Sequence, residues 1–145
     1  MRGIRANDTV TLDEKGRITL PARLRASFEG SDSRRFVVHY FRGAVWLWTS
    51  EDFARYVESQ VDGEKQLDPR SVARAHACLG TADGVELDSG GRIRLVEELR
   101  ELAGLEKDVR IVYLPRHIEL WSPERWRARV LAAEAEMDRY DGEVA

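Results

Sequence analysis

The sequence predicts an α+β fold built from two pseudo-symmetric halves that share one core. Three observations carry that prediction. The stretch Thr11-Leu12-Asp13-Glu14-Lys15-Gly16-Arg17-Ile18-Thr19-Leu20-Pro21 returns 75 residues later as Glu86-Leu87-Asp88-Ser89-Gly90-Gly91-Arg92-Ile93-Arg94-Leu95-Val96, and self-similarity at a fixed spacing marks a repeated structural unit. The segments after each copy follow one order. Each half holds only ~50 to 60 residues, which is marginal for a private core. The economical arrangement packs the halves about a pseudo-two-fold axis, with both turns on one side of the molecule. The halves are expected at residues 1–66 and 67–145, the second with an extended C-terminal helix.

Each element has a local reason. Val10 and Leu12 alternate with Thr9 and Thr11, the period of a half-buried strand. Asp13 to Gly16 is a turn: aspartate accepts from backbone N–H groups just downstream, and glycine supplies positive φ. Ile18 and Leu20 then face inward, with Arg17 and Thr19 outward. Pro21 suits the first position of a short helix over 22–28, where its missing N–H costs nothing. A loop at 30–33 leads to a strand at 36–41, a turn at Arg42-Gly43-Ala44 and a strand at 45–48. Thr49, with Asp52 three residues on, opens a helix over 50–61 in the manner of a capping box. After a linker at 62–66, Asp68-Pro69 starts another helix that Gly80 stops.

The second half repeats this order. Val85 and Leu87 face inward, Asp88 to Gly91 turns, and Ile93 and Leu95 face inward again. A helix over 97–103 ends at Gly104. Strands at 109–113 and 118–121 flank a turn at Pro115-Arg116-His117. Ser122 and Pro123 start a helix to about Tyr140. The repeat offset falls from 75 to 73 because the first half has a loop two residues longer.

Charge is unevenly spread. The chain carries a formal net charge of −3, so it is not a globally basic nucleic-acid binder. Residues 1–35 hold eight Lys/Arg against five Asp/Glu, so the remainder nets −6. A polyanion site therefore belongs first at the first turn. The single cysteine, Cys78, excludes an intramolecular disulfide framework. The N-terminus has no apolar signal-peptide core, and no apolar run approaches the ~20 residues of a membrane span. A soluble, cytoplasmic protein is expected, with no membrane partner. His39, His76 and His117 stand in no metal-ligand spacing. There is no nucleophile elbow and no phosphate-binding glycine loop. No metal, cofactor, small-molecule substrate or catalytic residue is expected.

The pattern Leu-Asp-x-Lys-Gly-Arg-Ile-x-Leu-Pro, repeated as Leu-Asp-x-x-Gly-Arg-Ile and followed by Trp121-Ser122-Pro123-Glu124-Arg125-Trp126, resembles the MraZ family from about Arg2 to Trp126. The resemblance implies two AbrB-like swapped-hairpin halves, a homo-oligomeric ring, and double-stranded DNA held by the Asp-x-x-x-Arg turns. It implies a nucleoid-associated transcriptional regulator of the bacterial division and cell-wall gene cluster, binding tandem promoter repeats. Asp13, Lys15, Gly16 and Arg17 match the motif in the first copy, and Asp88, Gly91 and Arg92 in the second. Gly90 and Val96 replace Lys15 and Pro21, and Arg2 stands where the family usually has an aromatic residue.

The residue types suit that chemistry. Arg17 offers a planar fork for guanine, and Lys15 a point charge for phosphate. Asp13 would repel phosphate, so its role, like that of Gly16, Asp88 and Gly91, is to hold a turn. Arg92, Arg94 and Arg23, with Arg25, extend the positive surface. Another reading pairs Arg17 and Arg92 with Asp13 and Asp88 merely to close the hairpin ends. Trp46, Trp48, Trp121 and Trp126 could stack on bases, although their alternation with apolar residues favours core or subunit packing. A non-catalytic interaction module of antitoxin type is the alternative function. Two full halves in one chain count against it.

Overall fold

The computed structural model describes residues 6–26, 34–61 and 68–144. The expected loop at 30–33, the linker at 62–66, Phe28 at the end of the first helix, and Arg2 lie outside the described residues. The elements are β1 (Asn7–Thr11), β2 (Arg17–Thr19), α1 (Ala22–Ala26), β3 (Arg35–Phe41), β4 (Ala44–Thr49), α2 (Ser50–Gln60), α3 (Pro69–Leu79), β5 (Asp83–Glu86), β6 (Arg92–Arg94), α4 (Glu97–Ala103), β7 (Asp108–Tyr113), β8 (Ile118–Trp121) and α5 (Pro123–Val144).

The first strand begins earlier than its alternation suggests, because its bounds are set by a partner in the other half. β1 pairs with β7 from Asn7↔Val112 to Thr11↔Asp108. The counterpart strand β5 pairs with β3, from Arg35↔Glu86 to Val38↔Asp83. Each half thus lends its leading strand to the other half's hairpin. The six-stranded antiparallel sheet runs β1-β7-β8-β4-β3-β5, and exchanging the halves reverses that order onto itself. The pseudo-two-fold axis passes between β4 and β8 at the pair Trp46↔Glu119. It also passes through Ile18↔Ile93, the middle pair of a separate two-stranded ribbon formed by β2 and β6.

One core serves both halves. Ile18, Leu20, Leu24, Phe36, Val38 and Leu47 from the first pack with Ile93, Leu95, Leu99, Ile111 and Leu120 from the second. Ile18 and Ile93 have no solvent exposure. They fix the register of the ribbon, since a slip of one residue would turn arginines into the core. Helix ends follow their caps. Thr49 accepts from the Asp52 N–H at 3.1 Å, Asp68 caps α3 with Pro69 behind it, and Gly104 closes α4 in the left-handed region. Arg42 and Gly43 both have positive φ, as a two-residue hairpin turn between β3 and β4 requires.

The aromatic residues cluster on the other face of the sheet. Trp48 and Trp121 are buried, and His117 stacks on Trp46 with ring centroids 4.0 Å apart. His39 is fully buried, and its Nε2 accepts from Trp48 Nε1–H at 2.9 Å. Burial first, and His117 second, pull its pKa down to about 4. The fold therefore holds His39 neutral while the unfolded chain takes up a proton near pH 6.5. Its contribution is complete above about pH 6.5 and is lost as pH falls toward 4. Going from pH 7 to pH 4 is expected to cost about 3 kcal/mol through this residue. Urea midpoints at the two pH values should show that loss in the wild type and a smaller loss in His39→Phe. Equal losses would remove the assignment.

Candidate nucleic-acid interface

The two turns are the same object built twice. In the first, Asp13 Oδ1 accepts from the backbone N–H groups of Lys15 at 2.9 Å and Arg17 at 2.8 Å. Its Oδ2 accepts from Arg17 Nε at 2.8 Å. In the second, Asp88 Oδ1 accepts from the backbone of Gly90 at 2.8 Å and Arg92 at 3.0 Å, and Oδ2 from Arg92 Nε at 2.9 Å. Gly16 and Gly91 complete the turns with φ of +79° and +76°, donating their N–H groups to the carbonyls of Asp13 and Asp88. The backbone donor of the arginine is the largest influence holding each aspartate below the usual carboxylate range. Both turns therefore keep their ionised staple at neutral pH and lose it only as pH falls through those lowered values.

The halves are stitched directly at this point. The Leu20 N–H donates to the Gly91 carbonyl at 3.0 Å, and the Leu95 N–H to the Gly16 carbonyl at 2.8 Å. Arg17 stands opposite Arg94, and Thr19 opposite Arg92. Opposed residues of an antiparallel pair share a face. Arg17, Arg92 and Arg94 therefore lie on the outer face of one ribbon, with Ile18 and Ile93 beneath.

Pairing with aspartate and readiness to bind a ligand are not competing roles here. Each aspartate engages the Nε of its arginine. Among the described residues, the Nη groups of Arg17 and Arg92 make no hydrogen bond. The carboxylate thus aims the guanidinium and leaves its terminal donors available. Lys15 and Arg94, both exposed, make no ion pair among the described residues.

Arg23 is placed elsewhere. Its Nε and Nη2 reach Asp8 Oδ2 at 3.1 and 2.7 Å, and its guanidinium carbon lies 4.5 Å from the centre of the Tyr113 ring. The Tyr113 hydroxyl donates to the same Asp8 oxygen. Burial first, then that bond, push the phenol up to about 12. Arg23 thus ties α1 to β1 and β7 and is not brought to the ribbon. The side chain of Arg25 lies outside those described. Arg100, which the linear pattern did not single out, does reach the first turn: its Nε donates to the Leu95 carbonyl at 3.1 Å, and its guanidinium packs against Gly16. Its available signal was the repeat itself, which aligns Arg100 with Arg25.

Among the described residues no group of three or more His, Cys, Asp or Glu is placed to hold a metal ion. No helix there is long and apolar enough to cross a membrane. The arrangement is that of a double swapped-hairpin protein, with two Asp-x-x-Gly-Arg turns feeding one basic ribbon.

A family model described as "MraZ protein, putative antitoxin-like" matches residues 4–74 and again residues 78–143. The chain belongs to the MraZ family. A relative from Treponema pallidum (strain Nichols) is 36% identical over 128 residues, covering 86% of this chain and 83% of its own. One from Treponema denticola is 32% identical over 124 residues, covering 86% and 85%. One from Deinococcus radiodurans is 30% identical over 131 residues, covering 90% and 89%. Each of the three bears the name Transcriptional regulator MraZ.

Proposed function

We propose that this chain is a sequence-specific DNA-binding transcriptional regulator without catalytic activity. On this reading it is cytoplasmic and nucleoid-associated, and acts on the bacterial division and cell-wall gene cluster. One observation carries the proposal: the outer face of the β2–β6 ribbon presents Arg17, Arg92 and Arg94, two of them aimed by a carboxylate on Nε. A two-stranded ribbon is narrow enough for the major groove, where a guanidinium fork matches the O6 and N7 of guanine. Lys15 supplies a phosphate contact. Membership of the family and the names of the relatives support the same reading.

One short ribbon binds weakly. Several ribbons on a homo-oligomeric ring would meet tandem promoter repeats at high effective concentration. A second reading, an antitoxin-type interaction module, draws on the exposed apolar residues Leu131 and Met137 of α5.

Salt separates the two. Fluorescence anisotropy of a labelled duplex from upstream of the protein's own gene should give a log–log salt slope of about −3 for each ribbon engaged, from roughly three or four phosphate contacts per subunit. Between 50 and 200 mM salt the affinity then drops roughly 60-fold for each ribbon engaged. A flat response would favour the protein-interaction reading. Solution mass should show an assembly, and a monomer would break the tandem-repeat argument.

A further inference from the structure

The two turns have the same hydrogen bonds but different charges, and the difference is not confined to one half. Across the pseudo-two-fold axis Lys15 corresponds to Gly90, and Arg94 corresponds to Thr19. Because β2 and β6 are antiparallel, both extra cations fall at one end of the ribbon. Arg94 is the direct partner of Arg17, and Lys15 is in the turn leading into Arg17. The other end pairs Thr19 with Arg92, beside a turn that carries Gly90.

We propose that the ribbon is polarised: Arg94, from the second half, completes an anion-binding end with Lys15 and Arg17, and the DNA backbone is gripped chiefly there. This rests on the DNA-binding reading above. Like charges directly opposed in an antiparallel pair destabilise the sheet. Here the opposed residues are two arginines. Asp13 at that end is already engaged with Arg17, and Glu14, Glu97 and Glu98 of the neighbouring segments make no ion pair with Lys15, Arg17 or Arg94 among the described residues. Arg100 adds a third guanidinium from below, through Leu95 and Gly16. A polyanion laid along that end would relieve the repulsion. The second half is therefore a contributor to the first turn's site as well as a support for the shared core.

Arg94→Thr, which installs the residue found at the equivalent position of the first half, tests this. The probe is the labelled duplex from upstream of the protein's own gene. Loss of one phosphate contact should lower affinity roughly eightfold at 0.1 M salt and reduce the salt slope by about one for each ribbon engaged. The melting temperature of the free protein should stay level or rise. Opposite movement of binding and stability is the signature expected of a functional charge pair. Unchanged affinity and slope in Arg94→Thr, alongside lost binding in Arg17→Ala, would overturn the polarised site and leave the DNA-binding reading standing. Unchanged binding in both variants would overturn the DNA-binding reading itself. A lower melting temperature in Arg94→Thr would make Arg94 a structural residue and overturn the proposal.

Discussion

Arg17→Ala is expected to weaken binding to duplex DNA by roughly 10- to 100-fold per ribbon, the worth of one bidentate guanidinium–base contact. In an oligomer that engages several repeats the losses multiply, and binding should vanish at physiological salt. The fold should survive. The staple of the turn is Asp13 Oδ1 on the backbone N–H groups of Lys15 and Arg17, and neither donor depends on the arginine side chain. The Arg17–Asp13 ion pair is part-exposed, and such pairs contribute little. Arg17→Lys should recover only a fraction, because one ammonium cannot both meet Asp13 and present a planar fork. Anisotropy for binding, with circular dichroism and solution mass as controls, decides the matter. Wild-type affinity in Arg17→Ala would refute the proposed role of this side chain.

Gly16→Val should act in the opposite sense, through the fold. Gly16 has φ of +79°, a region that costs an ordinary L-residue about 1–2 kcal/mol and a β-branched one more. A Cβ there would lie 2.9 Å from the Leu95 backbone oxygen. The Arg100 guanidinium beside it can swing away, but Leu95 cannot, since its N–H is bonded to the Gly16 carbonyl. The stitch between the halves must open. A loss of about 3 kcal/mol is expected, equivalent to roughly 6–12 °C in melting temperature. Gly90→Ala is the contrast. Gly90 lacks a positive φ, and its added Cβ would first meet the Nε of Arg92 at 3.2 Å, a contact that a shift of a few tenths of an ångström relieves. It should melt within about 2 °C of the wild type. Scanning calorimetry on the two variants tests the distinction, and equal melting temperatures would show that Gly16 is not under the constraint described.

Much of the molecule was legible before folding. The period-two runs around Ile18 and Ile93, the Asp-to-Gly turns, the caps at Thr49 and Asp68, and the stop at Gly104 are local. Each rests on interactions within a few residues. The strand bounds were less legible, because β1 and β5 extend as far as their partners in the opposite half allow. Arg23 looked like one more surface cation, and only folding brings Asp8 and Tyr113 around it. The two turns looked unequal in the chain, yet their hydrogen bonds coincide within about 0.2 Å. Asp13 and Asp88 determine those bonds, and the lysine side chain that the second copy lacks takes no part in them.

The sequence by itself determined that there are two related halves, that each carries an aspartate-stapled arginine turn, and that their apolar faces require a common core. These follow from spacing and residue type. Only the tertiary structure decided that the halves exchange their leading strands and that β2 and β6 form one ribbon. It also decided that Arg94 and Arg100 of the second half converge on the turn of the first. The physical reason is that antiparallel pairing between segments 75 residues apart depends on long-range register. That register is set when Ile18 and Ile93 are buried against each other, and no local pattern encodes which arginine will then face which.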